Sequence, residues 1–166
     1  MGQLEELNQL SQKAFVEQVG WVFEHSPWIA EKAWTLRPWA SLEALHRSMV
    51  QVVKAAPKEA QLALIRAHPD LGSRARMAPA STAEQKGAGL DSLSPSEFAR
   101  IQELNRAYTD KFGFPFVLAV RGKTKRDILL AMEQRLHNPP EIEFQTALEE
   151  IFQIARHRLV GLLDQG

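Results

Sequence analysis

The sequence predicts an all-α fold of six to eight helices with no significant sheet. Three observations carry this reading. Apolar residues recur at helical spacing through most of the 166 residues. Residues suited to helix caps stand at the head of most such stretches. Only Phe114 to Val120 reads as extended, and one short strand has no sheet partner.

The elements follow in order. Ser11 caps a helix to about Glu24, with Ala14, Phe15, Val19, Val22 and Phe23 on one face. Ser41 caps the next, carrying Leu42, Leu45, Met49, Val52 and Val53. Pro57 suits a first helical position, with Leu62, Leu64 and Ile65 behind it. Ser94-Pro95-Ser96-Glu97 reads as a capping box with proline at the first helical position. That helix passes Phe98, Ile101, Leu104 and Tyr108 and stops at Gly113. Thr124 caps a helix with Ile128, Leu129 and Met132 that ends near Asn138-Pro139-Pro140. The last helix runs from about Glu141 to Leu163. Two segments resist the helical pattern and are candidate site loops: His68 to Gly89 and Gly113 to Gly122.

Composition narrows the function classes. Twenty Lys and Arg balance twenty Asp and Glu, which argues against bulk electrostatic binding of nucleic acid. Without cysteine there is no disulfide scaffold, thiol nucleophile or Cys-ligated zinc. The start, Met-Gly-Gln-Leu-Glu-Glu, is acidic where a signal peptide is basic. The longest apolar run, Phe112 to Val120, is too short to span a bilayer. The expectation is one domain over 1–166, in the cytoplasm, with no nucleic-acid or membrane partner.

Several apparent motifs dissolve. Gly122-Lys123-Thr124 resembles the end of a phosphate loop, but the required earlier glycine position holds Val117. The five histidines show no helical zinc-pair spacing, so no metal is expected. Arg121, Lys123, Lys125 and Arg126 read as a solvated helix start. Trp21, Trp28, Trp34 and Trp39 read as core and interface anchors.

Three features carry chemistry. His68 lies on or beside the apolar face of Leu64 and Ile65, at a helix end fixed by Pro69. The helix dipole there favours the imidazolium and burial opposes it, which suits proton transfer near neutral pH. A structural histidine fits the same spacing. Ser81-Thr82-Ala83-Glu84 reads equally as a capping box or as polar groups at a pocket edge. Arg158 shares a stripe with Ala147, Ile151, Ile154 and Leu162. A guanidinium there needs a buried carboxylate or a bound anion.

The order of His25-Ser26-Pro27-Trp28, Arg66-Ala67-His68-Pro69-Asp70-Leu71-Gly72, Ser81-x-x-Glu84-Gln85 with Ala88-Gly89-Leu90, and Phe112-Gly113-Phe114-Pro115-Phe116-Val117 resembles the OHCU decarboxylase family of purine catabolism. OHCU is 2-oxo-4-hydroxy-4-carboxy-5-ureidoimidazoline. The resemblance runs from about Leu7 to Leu162. It implies an all-helical homodimer that releases CO2 to give (S)-allantoin without a cofactor. It makes His68 the catalytic histidine and Glu84 its acidic partner. It places Pro69, Ser81, Gln85, the backbone of Phe116, Val117, Leu118, Ala119 and Val120, and Arg158 against the substrate, with less weight on Arg121. Some relatives end in a peroxisomal signal; this chain ends Asp164-Gln165-Gly166, which favours the cytoplasm. Two other readings stand beside it: a non-catalytic helical interaction module, and an enzyme of the same fold acting on another ureido acid.

Overall fold

The computed structural model describes residues 3–73 and 77–163. Among these residues the fold is all-α, with nine α-helices and two short 3-10 turns. They are α1 (Gln3–Gln9), α2 (Gln12–Val19), α3 (Trp28–Ala33), α4 (Leu42–Ala55), α5 (Lys58–Arg66), α6 (Pro79–Gly87), α7 (Pro95–Phe112), α8 (Lys125–Arg135) and α9 (Pro140–Leu163). Six match the stretches marked by hydrophobic pattern. The additional three are α1, α3 and α6, of 7, 6 and 9 residues.

The caps behave as their chemistry requires. Ser11 and Ser41 accept from the amides of Ala14 and Ala44. Ser94 and Glu97 form the reciprocal capping box, and Thr124 and Asp127 form another. Gly113 ends α7 in the left-handed region at φ 78°, where a side chain would be strained. Three sequence readings differ from the structure. Pro57 is extended (ψ 152°) and precedes α5 instead of starting it. Ser81 does not cap: α6 begins at Pro79, so Ser81 lies inside its first turn. The first predicted helix also stops early, at Val19, and continues as a 3-10 turn over Gly20–Val22.

The chain gathers into two compact units, residues 1–67 with 152–166 and residues 68–151. In the first unit α3 packs on α2 and α4. Phe15, Val19, Ile29, Ala33, Leu45, Met49 and Val53 are fully buried there, each worth about 1.5–3 kcal/mol of transfer free energy for the larger side chains. Trp39 stacks on Phe15 at 5.1 Å and donates to Ser48. Trp34 lies under the Arg37 guanidinium and donates to the Leu10 carbonyl. Trp21 is 42% exposed, in contrast to the buried Trp39.

In the second unit α7 packs on α8. Tyr108 meets Phe112, Phe114 and Phe116 at 4.5–6.0 Å between ring centroids. Residues 115–120 form neither helix nor strand, as the sequence suggested. They carry no in–out alternation: Phe116 through Val120 are all buried. The C-terminal Asp164-Gln165-Gly166 lies outside the described residues.

Candidate active site

α5 ends at Arg66 because Pro69 cannot continue it. The Ala67 amide still donates to the carbonyls of Ala63 and Leu64, and His68 follows, 8% exposed. The loop that carries His68 is held by side chains from two helices. Gln85 of α6 accepts from the Gly72 amide at 2.9 Å and donates to the Asp70 carbonyl at 3.5 Å. Asn105 of α7 donates to the Leu71 carbonyl at 2.9 Å. Gly72 has φ 68°, and a Cβ there would press on Leu93 and Ile101 at 3.1 and 3.2 Å. The backbone angle therefore favours glycine, and the close approach leaves little room for a side chain.

Ser81, Glu84 and Gln85 stand at i, i+3 and i+4 on α6 and so share one face. Ser81 and Gln85 are buried, while Glu84 is half-buried. The helix closes with the Leu90 amide donating to the Gln85 carbonyl across Gly89 at φ 82°. The structure thus joins two sequence motifs 13 residues apart through the Gln85 amide. Asp70 is exposed, yet the protein around it removes enough water to raise its carboxyl above the ordinary value.

Among the described residues the segment Phe116–Val120 has no neighbouring strand, and its backbone groups find other partners. Arg135 of α8 donates to the Val117 carbonyl at 2.7 Å. Glu150 of α9 accepts from the Ala119 amide at 2.9 Å. Arg135 is 9% exposed and sits in a buried cluster. It pairs with Glu143 at 2.7 Å and lies 4.3 Å over the Phe116 ring. Tyr108 donates to Glu143 at 2.5 Å, and Asn138 donates to its other oxygen at 2.8 Å. Burial and the Glu143 acceptor push the Tyr108 phenol up. Sequence reading missed this cluster. A signal existed: Ile128, Met132 and Arg135 are spaced by four and three on α8, the same anomaly that singled out Arg158.

Arg158 belongs to the first unit. It is 5% exposed and pairs with Glu24, itself 1% exposed, at 3.1 Å. The same nitrogen donates to the carbonyls of Trp21 and Val22 at 3.3 and 3.4 Å. A buried carboxylate therefore answers part of the charge that the sequence left open. Arg121 is exposed in the turn after Val120, and Pro69 is half-buried. Lys125 pairs with Glu97 at 3.2 Å, as a solvated helix start would.

A cavity of about 330 Å³ is lined by Gly72, Ser73, Leu90, Asp91, Leu93 and Phe98, none of them a site residue expected from sequence. Among the described residues no group of three His, Asp or Glu side chains could hold a metal ion. None of the helices there is long and apolar enough to cross a membrane.

The model of the OHCU decarboxylase family matches residues 8–160, through both the His68 loop and α6. The chain belongs to the OHCU decarboxylase family. The likeness read from its motifs is therefore borne out across nearly the whole sequence. A 2-oxo-4-hydroxy-4-carboxy-5-ureidoimidazoline decarboxylase of Haloferax volcanii is 47% identical over 94% of this chain and 93% of its own length. The uric acid degradation bifunctional protein of Bacillus subtilis is 48% identical over 98% of this chain, which spans only 33% of that protein. The crystal structure of an (S)-allantoin synthase matches 97% of this chain and 54% of its own, at 32% identity and a TM-score of 0.78. Family membership thus rests on sequence and fold together.

Proposed function

We infer that the chain decarboxylates OHCU to (S)-allantoin and CO2, the last step from urate to allantoin. One observation carries this reading. The match to the OHCU decarboxylase family runs through residues 8–160 and takes in the His68 loop and α6, the motif pair that Gln85 ties together. The same match runs through both compact units, which supports reading 1–166 as one OHCU decarboxylase-like domain.

The chemistry asks little of a cofactor, because the substrate carries its own electron sink. That sink is an imine beside the carbon bearing the carboxylate and hydroxyl. When the carboxylate bond breaks, its electron pair forms a carbon–carbon double bond and the imine pair moves to nitrogen, which takes a proton. CO2 leaves. The enol then gives up its hydroxyl proton while the neighbouring carbon gains one, which creates the ring carbonyl and the new stereocentre. One proton is taken up overall. His68 handles the hydroxyl proton, and Glu84 orients the substrate and supports the charge state of His68. Pro69, Ser81 and the backbone of Phe116 to Val120 hold the ring and ureido group. Gln85 contributes by shaping the loop to which its amide is bonded. Arg158 grips the substrate carboxylate, with Glu24 setting its orientation. Arg121 carries less weight. The reading extends to a homodimer in the cytoplasm that needs no cofactor, on the strength of the family likeness.

The direct test is to add the protein to OHCU freshly made from urate and follow loss of substrate. Acceleration over spontaneous decay is expected; an unchanged rate contradicts the reading. Addition of EDTA should leave that acceleration intact, and loss that returns with added metal would refute the cofactor-free mechanism.

Arg158 is tested with its partner. Arg158→Ala removes the guanidinium from a buried ion pair with Glu24, so it should cost about 3–5 kcal/mol of stability as well as binding. Glu24→Gln with Arg158→Gln removes both charges and should recover much of the stability. If Arg158 holds the carboxylate, KM in the double variant still rises at least tenfold. A wild-type KM would leave Arg158 a purely structural ion-pair partner.

A further inference from the structure

An extended segment in a helical protein lacks the neighbouring strand that ordinarily fixes its backbone. Here two charged side chains stand in for that strand. Arg135 holds the Val117 carbonyl and Glu150 holds the Ala119 amide. The two anchored groups lie two residues apart, on either side of Leu118.

The anchors differ in how they are themselves held. Arg135 is fixed on several sides, by Glu143, by the Tyr108 hydroxyl and by the face of Phe116. Glu150 sits half-buried on α9, 7 residues after Glu143 on the same helix. An apolar cluster of similar volume is often as stable as a buried ion pair, so the pair is poorly explained by stability alone. What a guanidinium adds is a directed donor at a set distance from a carbonyl.

We propose that Arg135 and Glu150 are positioning residues for the decarboxylation, clamping the segment on both sides of Leu118 so that its remaining backbone groups meet the substrate in a fixed register. The proposal rests on the reading that the backbone of Phe116 to Val120 contacts the substrate. Neither residue touches the reacting atoms. Their effect passes through the peptide groups of 117–119, and it should appear in KM and in the rigidity of those peptides.

Glu150→Ala and Glu150→Gln provide the test, since a half-buried position on a long helix tolerates both. Thermal unfolding is measured first, and kinetics are run well below the transition. Hydrogen exchange of the peptide covering 114–122 is followed in the free enzyme, and kcat and KM are measured on fresh OHCU. In Glu150→Ala, exchange at Ala119 should rise and KM should rise by roughly 10-fold, the scale of one hydrogen bond to a charged group. Glu150→Gln keeps an acceptor for the amide and should recover most of both losses. Unchanged exchange in Glu150→Ala would overturn the clamp itself. Raised exchange with kcat/KM within twofold of the unaltered protein would also overturn the proposal, and would locate the fault in the substrate contact of this segment.

Discussion

His68→Asn is expected to lower kcat by about 10²–10⁴-fold, the usual worth of a positioned general acid–base group, while the helices remain formed. The fold should survive because the loop beyond Pro69 is held through its backbone. Gln85 and Asn105 bond the backbone of Asp70, Leu71 and Gly72, and those bonds are untouched by the change. Pro69 and Gly72 impose the same turn in the variant. Turnover on fresh OHCU and the thermal transition, measured on the same preparation, separate the two effects. Near-full activity in a folded His68→Asn protein would remove the imidazole from the mechanism.

Arg135→Ala is expected to cost about 3–5 kcal/mol of stability, the scale for breaking a buried ion pair from one side. Glu143 is fully buried, and without the guanidinium it keeps only the hydrogen bonds from Tyr108 and Asn138. The Val117 carbonyl loses its donor at the same time. For a chain of this size the loss corresponds to a fall in Tm of roughly 10 °C. Combining Arg135→Met with Glu143→Leu should cost much less than the sum of the single changes, because no charge is then stranded. Additive losses in that cycle would show that the two residues do not act as a pair.

The parts of the fold legible in sequence were those fixed by local chemistry. Ser94 with Glu97, Thr124 at the head of α8 and Gly113 at the foot of α7 each work within four residues of themselves. α6 was harder. It starts on Pro79, holds Ser81 and Thr82, and ends at Gly87, so propensity argues against a helix that tertiary packing nevertheless forms. Among the candidate residues, Arg158 stood out because its stripe was otherwise apolar. Its partner Glu24 is 134 residues away, and no local pattern could announce it. Arg135 offered the same stripe signal and went unread. Glu143 was hidden by its place in the first turn of α9, where an acid is expected to complement the helix dipole. Gln85 and Asn105 are ordinary helix residues until the 70–72 loop folds against them.

Mechanistically, the account needs the new carbon–hydrogen bond to form inside a chiral pocket. The most direct measurement is the circular dichroism of allantoin as it forms from fresh OHCU, with and without the protein. A growing signal of the S enantiomer that disappears with His68→Asn is the predicted result. Racemic allantoin in the presence of well-folded protein would contradict it.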